Sequence, residues 1–168
     1  MTKIKEKKRS IARPLIRLLL KIFFLALITF AVLTWVLGFH RMMGNNMFPS
    51  IKDGDLCVMY KLEEYHADDI VAYTDNSGAS RIGRIVAVGG QRVEFPKEGG
   101  YTVDGYQPSE EITYETHGVD DAPIEVADGS FFILNDFRSD TDDSRIYGPI
   151  EESRIDGKLM FLLRRRGF

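Results

Sequence analysis

Two regimes of hydrophobic and polar residues divide this chain. From Ile22 to Phe39, eighteen consecutive residues carry no charge (IFFLALITFAVLTWVLGF), and Leu18-Leu19-Leu20 extend the run toward the N-terminus. At helical rise such a run spans about 27 Å, close to the hydrocarbon thickness of a bilayer, so a transmembrane helix is predicted over residues 22–39. Past residue 44 the helical period is gone. Short apolar, β-branched runs recur instead: Leu56–Tyr60, Asp69–Tyr73, Arg81–Val88, Arg92–Phe95, Tyr101–Val103, Ile124–Ala127, Ser130–Leu134 and Lys158–Leu163. Most end at Gly, Pro, Asp-Gly or Gly-Gly signals, which marks them as strands. The pattern predicts a mainly β fold, a twisted antiparallel sheet system or barrel in residues 40–168. Residues 107–121 (QPSEEITYETHGVDD) are polar and acidic and read as a solvent-exposed loop.

Charge sharpens the division. Lys3, Lys5, Lys7, Lys8, Arg9, Arg13, Arg17 and Lys21 face a single Glu6 within residues 1–21, a net of +7; the whole chain is −3, which leaves −10 for residues 22–168. The positive-inside rule puts the basic segment, residues 1–21, in the cytoplasm and the acidic body, residues 40–168, outside the cell membrane. Trp35 lies near the far end of the run, where an indole suits the interface. A cleaved export signal would have a shorter apolar core ending in small residues. Here His40-Arg41-Met42-Met43 follow, so a retained single-pass anchor is expected. No basic, aromatic-interleaved surface points to nucleic acid. No His, Cys or carboxylate spacing points to a metal, and nothing calls for a small-molecule cofactor. Cys57, the single cysteine, cannot form an internal disulfide and reads as a small buried hydrophobe.

The anchor and three segments after it carry a more specific signal. Behind the anchor comes Asn46-Met47-Phe48-Pro49-Ser50, then Gly54-Asp55. Next is Asp69-Ile70-Val71, then Arg81-Ile82-Gly83-Arg84-Ile85-Val86-Ala87-Val88-Gly89-Gly90. The last is Asn135-Asp136-Phe137-Arg138, then Thr141, Asp143-Ser144-Arg145 and Gly148. In order and spacing these resemble the type I signal peptidases (serine peptidase family S26), with Tyr101–Gly105 similar to a short turn of that family.

The resemblance implies a membrane-anchored β domain with a Ser–Lys dyad, in which a desolvated, neutral Lys takes the proton from the Ser hydroxyl. Position by position, this chain departs from it. Asn46 stands at the nucleophile position, and a carboxamide nitrogen is a poor nucleophile. Gly83 stands at the base position and Gly44 at the oxyanion-hydroxyl position, while Thr141 keeps the hydroxyl near the base. Arg84, Asp136, Arg138, Asp143 and Arg145 match the charges that form a structural ion-pair cluster in the family. His40, His66 and His117 show no spacing that suggests a substitute triad, and Ser50 sits at a position of structural role. Met42, Met43, Met47 and Phe48 divide between two readings, core or an apolar rim at the outer leaflet.

The expected function is therefore binding without chemistry. The chain resembles the catalytically altered signal peptidase-like proteins of Gram-positive pilus assembly, which implies as partners the membrane and an extended segment of an exported or pilin protein, with a sortase nearby. The alternatives are an active signal peptidase with unorthodox residues and a decoy that sequesters signal peptides or an active peptidase.

Overall fold

A computed structural model describes residues 12–109 and 122–165. Most of the loop expected at 107–121 lies outside the described residues. Contact density separates residues 1–35 from residues 36–168.

The first unit holds helix α1, Ala12–Val36. Its apolar side chains are exposed all round, from Leu15 and Phe23 to Trp35. A helix apolar on every face belongs in an apolar surrounding, a protein core or a bilayer. The stretch Arg13–Val36 is long and apolar enough to cross a membrane, as an anchor or an export signal is. The helix stops at Val36. Leu37–Phe39, counted above with the apolar run, begin strand β1 (Leu37–Arg41). Apolar character runs on through the boundary, so hydropathy alone places it three residues late.

Among its described residues the second unit has ten strands, all paired antiparallel. After β1 come β2 (Leu56–Tyr60), β3 (Ile70–Thr74), β4 (Ser80–Val88), β5 (Arg92–Glu94), β6 (Thr102–Val103), β7 (Ile124–Glu125) and β8 (Ser130–Leu134). A helical turn α2 (Ser144–Tyr147), β9 (Ile150–Glu151) and β10 (Ile155–Leu163) follow. The larger sheet has the order β1-β2-β10-β3-β4-β8-β9, and the smaller β6-β5-β7. All eight expected strands are present within a few residues. The additions, β1, β9 and α2, are short or hidden in motif and anchor segments.

β8 shows how period-two patterning builds the interior. All five of its residues are buried. Phe132 and Leu134 join Val86, Val93, Phe95 and Tyr101 beneath the small sheet. Phe131 and Ile133 point the other way, to Val71, Tyr73, Ile85 and Ile150. A third cluster, Met42, Met47, Ile51, Cys57, Met59, Ala72 and Ile82, fills the space inside β1, β2 and β3. Cys57 is fully buried, and burial first, then the nearby Asp55 charge, pushes its thiol up to about 11.

Candidate functional site: a cleft between two strand edges

β1 sits at one end of the larger sheet and pairs only with β2. In β4, residues Ser80–Gly83 pair with β3, but the ladder to β8 starts only at Arg84. Among the described residues each strand therefore keeps a free backbone edge. Both edges border one cleft of about 390 Å³, lined by Phe39, His40, Arg41, Met42 and Met43 on one wall and Ser80, Arg81 and Ile82 on the other, with Asn46 at one end.

Asn46 reaches the cleft on a turn that backbone contacts hold in place. Its carbonyl accepts the Phe137 N–H at 2.8 Å, and the Asn45 carbonyl accepts that of Phe48 at 2.9 Å. Met47, fully buried, takes the Asp136 N–H on its sulfur at 3.5 Å. Gly44 opens the turn at φ +90, where an L side chain is strained, and its N–H donates to Asp53 Oδ1 at 2.9 Å. Of the apolar residues after α1, Met42 is 3% exposed and packs in the core, whereas Met43 is 81% exposed. Met47 joins Met42 inside, and Phe48 is partly exposed.

Gly83 is not brought into the cleft's lining. A Cβ built there would lie 2.5 Å from Ile133 Cγ2, and 3.3 Å from both the Leu134 carbonyl and the Tyr73 ring. Real Cβ atoms do not approach a methyl carbon so closely, so the space where a side chain at 83 would begin is filled. Tyr73 is fully buried, and its hydroxyl has no hydrogen-bond partner among the described residues. Burial, then the Asp143 charge, holds that phenol well above its usual range. Thr141 is half buried, and its carbonyl accepts the Asp143 N–H at 2.8 Å.

The scaffold charges include two close ion pairs, Arg84 with Asp136 and Arg145 with Asp143. Arg84 grips Asp136 with two bonds of 2.8 Å, and also donates to the Asp68 carbonyl and, at 3.4 Å, to Ser50 Oγ. Asp143 and Arg145 pair at 2.7 Å with both side chains fully buried. Asp143 also accepts the Asn135 N–H at 2.9 Å and caps α2, while Arg145 donates to the carbonyls of Arg138 and Asp140. Arg138, buried over the Tyr101 ring, donates to the Asn135 carbonyl at 2.7 Å. Arg84 ties β4 to the loop after β8, and the Asp143–Arg145 pair closes that loop onto the start of α2.

Two features had no sequence signal. Arg81 is held by Asp75, by Asp142 at 2.5 Å and by the Tyr147 hydroxyl at 3.0 Å, and it stacks on the Tyr147 ring. Burial opposes the Asp75 charge, yet bonds from Ser77, Arg81 and the Ala79 N–H hold its carboxyl well below the usual range. The second is His40 Nδ1, 3.4 Å from Ser80 Oγ across the cleft. These partners are 61 and 40 residues apart for Arg81–Asp142 and His40–Ser80, so only the fold brings them together. Among the described residues, no three His, Cys, Asp or Glu side chains gather to hold a metal ion.

A sequence model described as "Signal peptidase, peptidase S26" matches residues 15–163. The chain belongs to the signal peptidase S26 family. Among its relatives, "Signal peptidase IB" of Staphylococcus aureus is 25% identical over 155 residues, covering 80% of this chain and 81% of that one. "Probable signal peptidase I-1" of Synechocystis is 28% identical over 131 residues, 70% and 66% of the two chains. A crystal structure of a signal peptidase I from Enterococcus faecalis V583 shares the fold, with a TM-score of 0.50 and 21% identity over 60% of this chain and all of that one. The family thus accounts for the antiparallel β body and for the apolar N-terminal helix.

Proposed function

We propose that this chain is a signal peptidase-like protein that holds an extended segment of an exported protein in its groove and does not cut it. The observation that carries the reading is the filled space at position 83. Gly83 offers no side chain to take a proton, and Ile133 Cγ2 stands 2.5 Å from where one would start. With Asn46 in place of a hydroxyl, neither half of a Ser–Lys dyad has an atom to act with. The free edges of β1 and of Ser80–Gly83 in β4 supply what binding needs: backbone donors and acceptors for an added strand.

In this reading α1 anchors the chain, its eight preceding or embedded cations stay in the cytoplasm, and the β body works outside the membrane. The client is an exported or pilin-type protein, handled beside a sortase during pilus assembly. The test is twofold. Purified full-length chain in detergent leaves a preprotein intact under conditions where an active family member cleaves it, and photo-crosslinking from residues 41 or 80 in native membranes captures an exported protein. Loss of the gene blocks pilus polymerisation while general secretion continues; normal pili would remove the pilus assignment. The second reading, a working peptidase, is favoured by the names of its relatives. Cleavage that disappears on Ser50→Ala or Thr141→Ala would establish it and overturn the first.

A further inference from the structure

The floor of the groove has two levels of different chemistry. In β1, His40 is paired with Cys57, and in β4, Ile82 is paired with Ala72; Cys57, Ala72, Ile82 and Met42 all belong to one core cluster. Strand side chains alternate between faces, so Ser80 shares the inward face of Ile82, and His40 that of its partner Cys57. At one level His40 Nδ1 and Ser80 Oγ face each other at 3.4 Å. At the next, Met42 and Ile82 present only carbon and sulfur. An extended segment laid between the two edges sends alternate side chains to this floor, two residues apart. One lands on the polar level and the next on the apolar one.

The polar level is poorly satisfied as it stands. A contact of 3.4 Å is long for a hydroxyl–imidazole hydrogen bond, and the imidazole and hydroxyl each keep capacity for a second partner. In the open groove water meets that capacity. A client covers it, and an apolar side chain there would take away water without replacing it. Charge does not suit the site either: Arg41 and Arg81 line the cleft against a cation, and an ionised carboxylate, which only accepts, leaves the acceptor capacity of the hydroxyl and imidazole unmet.

We propose that the groove selects its client by an uncharged side chain that both donates and accepts, a carboxamide or a hydroxyl, over His40 and Ser80, with an apolar residue two positions along over Met42 and Ile82. This rests on the reading of the cleft as a peptide groove, and the test separates the two. Fluorescent, end-blocked β-prone peptides that differ at one inward position (Gln, Ser, Ala or Leu), with Val two residues on, are titrated by anisotropy against the full chain in detergent. The Gln and Ser peptides bind about tenfold tighter than the Leu peptide, the worth of one well-made hydrogen bond against an unmade one. In His40→Phe and Ser80→Ala the preference vanishes and all four peptides bind alike. Equal binding of Gln and Leu peptides to the unaltered chain would overturn the selectivity and leave the groove reading intact. Failure of every peptide to bind would overturn the groove reading and the selectivity with it.

Discussion

Replacing Gly83 by Ala adds one methyl group to β4 and tests the crowding behind that position. By backbone preference alone the change stabilises, since Gly in a strand interior costs about 0.5–1 kcal/mol relative to Ala. The local geometry reverses the sign. The new Cβ falls 2.5 Å from Ile133 Cγ2 and 3.3 Å from the Leu134 carbonyl. Ile133 is fully buried, and its N–H is bonded to Ser144 Oγ at 3.0 Å, so neither side chain nor backbone can retreat freely. A β-branched residue has few χ1 choices to exchange. Overpacking of this kind costs about 1–3 kcal/mol, so Gly83→Ala loses about 1–2 kcal/mol net. At about 2–4 °C per kcal/mol for a chain of this size, thermal unfolding in detergent, followed by the circular dichroism of the strands, shifts down by about 2–8 °C. Ile133→Ala alone leaves a cavity and costs about 2–5 kcal/mol. In the double variant the two changes meet in one space, and the combined loss is smaller than the sum by about 1 kcal/mol or more. A raised melting temperature for Gly83→Ala, or strict additivity in the double variant, would refute the crowding argument.

Four further outcomes are expected. Asn46→Ser combined with Gly83→Lys yields no preprotein cleavage, because the Lys stem has no space to enter beside Ile133 and Tyr73; product in a gel assay would show the pocket to be open. Asp143→Ala leaves Arg145 buried without its partner and costs about 3–5 kcal/mol, read as a fall in melting temperature, and a loss under 1 kcal/mol (~) would contradict the pair's burial. Cys57 ionises more readily unfolded, near 9.0, than folded, near 11. Stability therefore falls as pH rises from the lower to the higher value, by roughly 3 kcal/mol at most. Cys57→Ala removes that part of the alkaline slope, and identical pH profiles would count against it. Tyr73→Phe removes a buried hydroxyl with no partner among the described residues and is neutral or stabilising by about 1 kcal/mol; a clear drop in melting temperature would reveal a partner for that hydroxyl.

The sequence made most of the fold legible because its strands are short, apolar and bounded by turn residues whose chemistry is local. Leu56–Tyr60 and Ser130–Leu134 needed no tertiary information. β1 stayed hidden, since Leu37–Phe39 continue the hydropathy of the helix before it and only pairing with β2 makes them a strand. At the site, Asn46 and Gly83 stood out against a motif. What fills the space beside Gly83 did not, because Ile133 comes from β8, fifty residues away in sequence. The same holds for Arg81, whose partners come from the β3–β4 turn, the loop before α2 and α2 itself, and for His40 and Ser80, whose meeting depends on how far the sheet curls between them. Net charge and local charge also differ: residues 22–168 carry −10, while the cleft has His40, Arg41 and Arg81 on its walls.

The strand order has a consequence in time. Between the groove walls β1 and β4 lie β2, β10 and β3, and β10 bonds to both of its neighbours. β10 spans Ile155–Leu163, the last described strand, although it occupies the middle of that half of the sheet. A chain synthesised from its N-terminus has both walls available long before the strand that sets the distance between them. Non-local closure of this kind is slow, because the entropy of the intervening loop is paid first. The cleft therefore cannot take its final width until translation has passed residue 163. A ribosome-stalled chain ending before Ile155 exposes the same residues yet has no groove.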